Sequence, residues 1–200
     1  PAKESKIWHS AGKDWSATIC QAATIADLSP LAISTARQLY ISKNPHLANE
    51  VTAWNDETFL NKARLCIGGK ITYTALLLLG LPESEHFISP AIARITWILR
   101  ATNNIEKDYT HFGMPLLLAT EQVFAKIRNL TYRYIRDGGL FPEEIDQYDP
   151  YVIRESLNNC IAHQDYTLRG KIIVVENEDA TLTFVNSGEF IPQTIRHVID

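Results

Sequence analysis

The sequence predicts an α+β protein, with helices and strands first and a helix laid on an antiparallel sheet after them. Three observations predict it. Apolar residues recur at three- and four-residue steps in the stretches 31–40, 116–127 and 152–161, the pattern of amphipathic helices. Period-two alternation marks strands at 93–100 and 130–135, and short β-type runs at 171–176 and 181–186 mark two more. Hydrophobic content of 46% and charged content of 21% over 200 residues describe an ordinary globular chain with enough apolar surface for a core.

Three segments follow from these patterns. Residues 1–28 are polar with interspersed aromatics (Trp8, His9 and Trp15) and predict an extended arm whose Trp rings pack on the body. Residues 29–141 form a mixed region. Residues 142–200 carry the helix-on-sheet unit.

Within the mixed region, Ser29-Pro30 is a helix start, with Ser as N-cap and Pro in the first turn, and Asn44-Pro45 is the stop. A second helix begins at Asp56 and carries Phe59, Leu60, Ala63 and Leu65. Gly68-Gly69 predicts a tight turn, and Thr72 onward a short, nearly all-buried helix. In 93–100, Ile95, Trp97 and Leu99 alternate with Arg94, Thr96 and Arg100, which predicts a half-buried strand. Residues 102–110 are polar and read as a turn. Pro115 opens a long helix, LTYRYI at 130–135 reads as a strand, and Asp137-Gly138-Gly139 as a turn leading into the acidic EEIDQYD.

The stretch 151–166 predicts the helix that matters most for function. Asp149 is its N-cap and Pro150 its first residue. Glu155, Asn159 and His163 fall at successive steps of four. Each step advances about 400°, so a carboxylate, an amide and an imidazole share one slowly drifting stripe. A carboxylate can deprotonate water and an amide oxygen suits Mg²⁺; an ordinary solvated helix edge has the same spacing. Asn158 lies about 100° off the stripe.

Several chemistries find no support. Cys20, Cys66 and Cys160 include no CxxC pair and read as reduced core thiols. The six histidines form no HxH or HxxxH pair, and no GxSxG or GxxxxGK[ST] occurs. A net charge of −4 argues against a broad nucleic-acid-binding face. The longest apolar run, 75–79 with Gly80 and Leu81 after it, is too short to span a bilayer, and the start shows no secretory signal. The reading is a cytoplasmic protein without a membrane partner. The opening PAKES reads as the interior of a longer protein.

Two motifs carry a family resemblance. RESLNNCIAHQDYTLRG at 154–170 resembles the REALxNAxAHRDYxxxG signature of the RecG-related, Schlafen-type transcriptional regulators of bacteria. CIGGKITYTALLLLGL at 66–81 resembles their GKLTxAALLLFG element, which belongs to a two-helix unit of winged-helix appearance. In those chains an AlbA-like DNA-binding domain precedes a segment resembling the GHKL ATPases, the group of gyrase, Hsp90, histidine kinases and MutL.

The resemblance implies a site. Glu155 would be the general base that activates water, and Asn159 the ligand of the Mg²⁺ that bridges ATP phosphates. His163 would face the phosphates or cap the last helical turn. FVNSGEF, similar to NPGGL in these regulators, would stand for the DxGxG strand end that receives adenine, through Asn186 and Gly188. Here Asn186 replaces the Asp and Glu189 the second Gly. The glycine-rich lid of the family would follow Asp200. The implied cofactors are ATP and Mg²⁺. DNA would be reached through a preceding domain, with a homodimer as a further partner.

Two functions compete on this basis. In one, favoured by the intact Glu155/Asn159 pair, nucleotide switches DNA binding or oligomerisation in a regulator, with ATPase activity in the longer protein. In the other, favoured by Asn186 and Glu189, the ATP site has decayed and the fold serves as an interaction and dimerisation scaffold. Direct DNA binding through Lys62, Arg64 and Lys70 of the winged-helix-like unit is a third and weaker reading.

Overall fold

A computed structural model describes residues 14–135, 137 and 141–188. Trp8, His9, Glu189 and most of the 137–139 turn lie outside that range.

The described chain opens with a packed segment. Trp15 stacks on Tyr73 at 4.4 Å between ring centroids, as the sequence predicts for these rings. Isolated bridges Ile19↔Thr72 and Leu28↔Gly80 tie the segment down. Helix α1 (Pro30–Lys43) begins where Ser29 accepts the amide of Ala32 and ends at Asn44. Then come α2 (Ala48–Ala53) and α3 (Asp56–Lys62), the latter capped by Asn55. Six residues with a single buried side chain, Val51, leave too little apolar period for α2 to be read from the sequence. A small hairpin of β1 (Cys66–Ile67) and β2 (Lys70–Ile71) turns at Gly68-Gly69. Helix α4 (Tyr73–Leu79) follows, with Thr72 as its N-cap and four of its seven residues buried.

The main sheet has the order β4-β3-β7-β8. Its members are β3 (Ile95–Arg100), β4 (Glu106–Phe112), β7 (Ile172–Asn177) and β8 (Thr181–Val185). The α+β class holds, but the sheet is mixed. β3 and β7 run parallel, and the outer pairs are antiparallel. A parallel neighbour needs a long crossover. Here the chain leaves β3 through β4 and then crosses by way of α5 (Leu116–Lys126), the separate hairpin β5 (Thr131–Tyr134) and β6 (Glu143–Asp146), and α6 (Pro150–Ala162). The sheet therefore takes two strands from each side of residue 141, and one buried cluster runs from Cys20 to Val174.

Two polar stretches that did not read as strands are strands. The turn expected at 102–110 contains most of β4, an edge strand whose side chains are largely exposed. Its pairing with β3 supplies the backbone hydrogen bonds that hydrophobic alternation would have signalled. The acidic stretch gives β6, which pairs with β5, and all eight residues of the two strands are exposed. Thr96 is also buried where alternation predicts exposure. β3 is central, and the Thr96 hydroxyl lies 3.0 Å from Nδ1 of His111 on its neighbour.

Helices α5 and α6 cover one face of the sheet. Leu116, Ala119 and Val123 of α5, and Ile153, Leu157 and Cys160 of α6, share a core with Ile95, Trp97, Ile172 and Val174. Alternation sends Ile98, Arg100, Ile173, Val175, Thr183 and Val185 to the opposite face, where they line a shallow depression of ≈ 480 Å³.

Candidate functional site

Helix α6 forms as its sequence predicts. Asp149 accepts the amide of Tyr151 at 2.7 Å, and Pro150 occupies the first turn. The helix ends at Ala162 with His163 as its C-cap, four residues before the predicted end. Asp165 stops it by capping the next short turn, Tyr166–Leu168, through the amide and hydroxyl of Thr167 at 2.9 and 2.6 Å.

The 154–170 signature divides into two sets. One set holds the fold. Arg154 grips Glu121 of α5 with two bonds of 3.0 and 3.1 Å, and its guanidinium lies 3.8 Å over the Phe124 ring. That carboxylate pushes the Arg154 pKa further up. Gln164 is buried and bridges two strands of chain: its Oε1 accepts the Ser187 amide at 2.7 Å and its Nε2 donates to the Gly170 carbonyl at 2.9 Å. The Tyr166 hydroxyl donates to the Ile161 carbonyl at 3.2 Å, and burial raises its pKa. Arg169 takes the left-handed conformation at φ 56° and leads into Gly170. A Cβ at Gly170 would stand 2.7 Å from the Ser187 Cβ, so only glycine allows that approach.

The other set faces outward. Glu155, Asn159 and His163 are all exposed, and so is Asn158. Among the described residues the side chains of Glu155, Asn159 and His163 make no hydrogen bond or ion pair. At 1.5 Å rise per residue, Asn159 lies about 6 Å and Glu155 about 12 Å from His163 along the axis.

The Asn186–Gly188 segment docks on the end of this helix. Asn186 Nδ2 donates to the His163 carbonyl at 3.0 Å, and the Asp165 amide donates to the Ser187 carbonyl at 2.6 Å. A Cβ on Gly188 would fall 2.7 Å from the His163 carbonyl oxygen. The structure therefore brings His163, Asn186 and Gly188 together, with Asn159 and Glu155 continuing the same surface up the helix. Gln164 and Ser187, which complete the junction, carry no sequence signal beyond their place in the two motifs. A shallow concavity of ≈ 290 Å³ opens beside the junction, lined by Asp14, Trp15, Gln164 and Asp165. The larger depression lies across the sheet from α6 and is separate from this surface.

Among the described residues no three His, Cys, Asp or Glu side chains gather in one place. In the winged-helix-like unit, Lys70 donates to Gln21 Oε1 at 2.6 Å and Lys62 sits 5.9 Å over the Trp54 ring. No helix among the described residues is long and apolar enough to cross a membrane.

Comparison with known proteins places the fold. A family model described as a domain of unknown function, DUF8451, matches residues 7–95, which stops short of α6. No curated protein matches. The crystal structure of the DIP2311 protein from Corynebacterium diphtheriae is similar with a TM-score of 0.67 at 19% identity. The likeness covers 92% of this chain and 35% of that one, so this chain spans only about a third of that protein. At that identity the similarity is one of fold.

Proposed function

We propose that the chain is an ATP-binding-like module of a bacterial transcriptional regulator, with nucleotide switching DNA binding or oligomerisation in the longer protein. The observation that carries the reading is the division within the 154–170 signature. Arg154, Gln164, Asp165, Tyr166 and Gly170 have structural work, whereas the side chains of Glu155, Asn159 and His163 are exposed and have no hydrogen-bond partner among the described residues, on a surface that ends at Asn186 and Gly188. Asn159 would offer its amide oxygen to the Mg²⁺ that accompanies the nucleotide. Glu155, one turn earlier, would orient or deprotonate water. ATP with Mg²⁺ supplies a phosphoryl group whose charge the cation neutralises.

Equilibrium dialysis with ATP tests this. Mg²⁺-dependent retention by the wild type, lost in Asn159→Ala and kept in Glu155→Gln, is the expected result. Equal retention by all three chains, or none by any, would overturn it.

One observation favours the scaffold reading. Asn186 spends its Nδ2 as a donor to the His163 carbonyl, a bond an ionised Asp cannot make. The replacement of the family's Asp thus has a structural reason independent of adenine.

A further inference from the structure

All eight strand residues of the β5–β6 hairpin are exposed. Two-stranded sheets are marginal in water, and this one shows two different faces. On one face Thr131 donates to Asp146 at 2.7 Å and Arg133 to Glu144 at 2.6 Å. The other carries Leu130, Tyr132, Tyr134 and Ile145, which are 56%, 49%, 41% and 54% exposed, together with Glu143 and Gln147, which accept the Tyr134 and Tyr132 hydroxyls at 3.1 Å. The strands also differ in charge. β6 carries Glu143, Glu144 and Asp146, whereas β5 carries Arg133 alone.

We infer that β5 is the edge through which two copies of this chain pair, antiparallel, into a four-stranded sheet centred on Tyr132. The Gln147 amide donates to the Leu130 carbonyl at 2.7 Å. In the observed register, alternation then turns the backbone groups of Tyr132 and Tyr134 toward β6 and those of Thr131, Arg133 and Ile135 toward the other edge of β5, which has no strand partner among the described residues. A two-fold axis at Tyr132 sets Thr131 opposite Arg133 of the second copy. Each Arg133 then lies between its own Glu144 and, across Thr131, the Asp146 of the other copy. Pairing through β6 would instead align three carboxylates with three more, the charge pattern that protects an edge. The β5 pairing also merges the two tyrosine-bearing faces, with Tyr132 against Tyr132 and Leu130 against Tyr134. This inference does not depend on nucleotide binding.

Two variants test it. Arg133→Pro removes an amide that the hairpin itself does not use, and it blocks edge pairing. Tyr132→Cys places a thiol at a non-hydrogen-bonded pair, where Cα atoms about 4.5 Å apart allow a disulfide. Cys20, Cys66 and Cys160 are buried and do not compete. Light scattering at micromolar concentration should give twice the chain mass for the wild type and the single mass for Arg133→Pro. Tyr132→Cys should cross-link under mild oxidation, while Glu144→Cys on the outer strand should not. A monomeric wild type, a dimeric Arg133→Pro, or a Tyr132→Cys that stays uncross-linked would each overturn the assignment, whatever the ATP result.

Discussion

The Glu176 carboxylate, almost fully buried in the central strand β7, accepts a 2.6 Å hydrogen bond from Nε of Arg128. It also accepts the Trp97 indole N–H at 3.0 Å and the Arg128 amide at 3.3 Å. Arg128 is half-exposed, so the pair is wet on one side only. This contact joins β3, β7 and the end of α5, and so fixes the sheet on which α6 rests. Arg128→Ala removes the cation and leaves the carboxylate with two neutral donors. Loss of one partner of a buried pair costs about 3–5 kcal/mol, and solvent access here reduces that to about 2–3. Urea unfolding followed by Trp fluorescence reads it directly.

Leu157 and Asn159 are two residues apart on α6 and should behave oppositely. Leu157 is fully buried, and Leu157→Ala should cost about 2–5 kcal/mol. Asn159 is exposed, and Asn159→Ala should stay within about 0.5 kcal/mol of the wild type in denaturant titrations. That contrast makes Asn159→Ala a clean probe of ligand binding.

Asn186→Asp exchanges the donor to the His163 carbonyl for a carboxylate that repels it. A lost bond of this kind costs about 0.5–1.5 kcal/mol, readable as a lower unfolding midpoint. On the nucleotide reading the same change supplies the acid of the GHKL-type DxGxG strand end and should strengthen ATP retention. On the scaffold reading it only destabilises.

Asp108 of β4 hydrogen-bonds Lys126 of α5 at 3.0 Å, and this bond holds its carboxyl below the ordinary value. A depressed folded-state pKa contributes stability above the unfolded value and loses it as pH falls through the folded one. The gap in melting temperature between the wild type and Asp108→Asn should therefore be present near neutrality and close in acid.

Burial raises the thiol pKa of Cys66 and Cys160, and Cys20 is buried as well. Thiolate is the reactive form. The native chain should label slowly with a thiol reagent near pH 8 and yield its three thiols at once in denaturant.

The legible parts of the sequence were those where side-chain chemistry and local geometry coincide. Ser29-Pro30, Thr72 and Asp149 mark three helix starts because each cap is a local event. Strands β7 and β8 were legible from their β-type runs. β4 and β6 were not, because their partners lie across space and their own side chains are polar and exposed. The parallel pairing of β3 with β7 left no mark within either strand. In the site, spacing placed Glu155, Asn159 and His163 on one stripe. The structural work of Arg154 and Gln164 depends on Glu121, Gly170 and Ser187, contacts that the spacing of the motif does not encode.

The most direct test of the proposed site is thermal unfolding with and without ATP and Mg²⁺, beside Asn159→Ala. A ligand at about 100 times its Kd adds roughly 2.7 kcal/mol, a readily visible shift. The account predicts a rise in melting temperature that requires Mg²⁺ and vanishes in Asn159→Ala. No shift at millimolar nucleotide, or an equal shift in the variant, would contradict it.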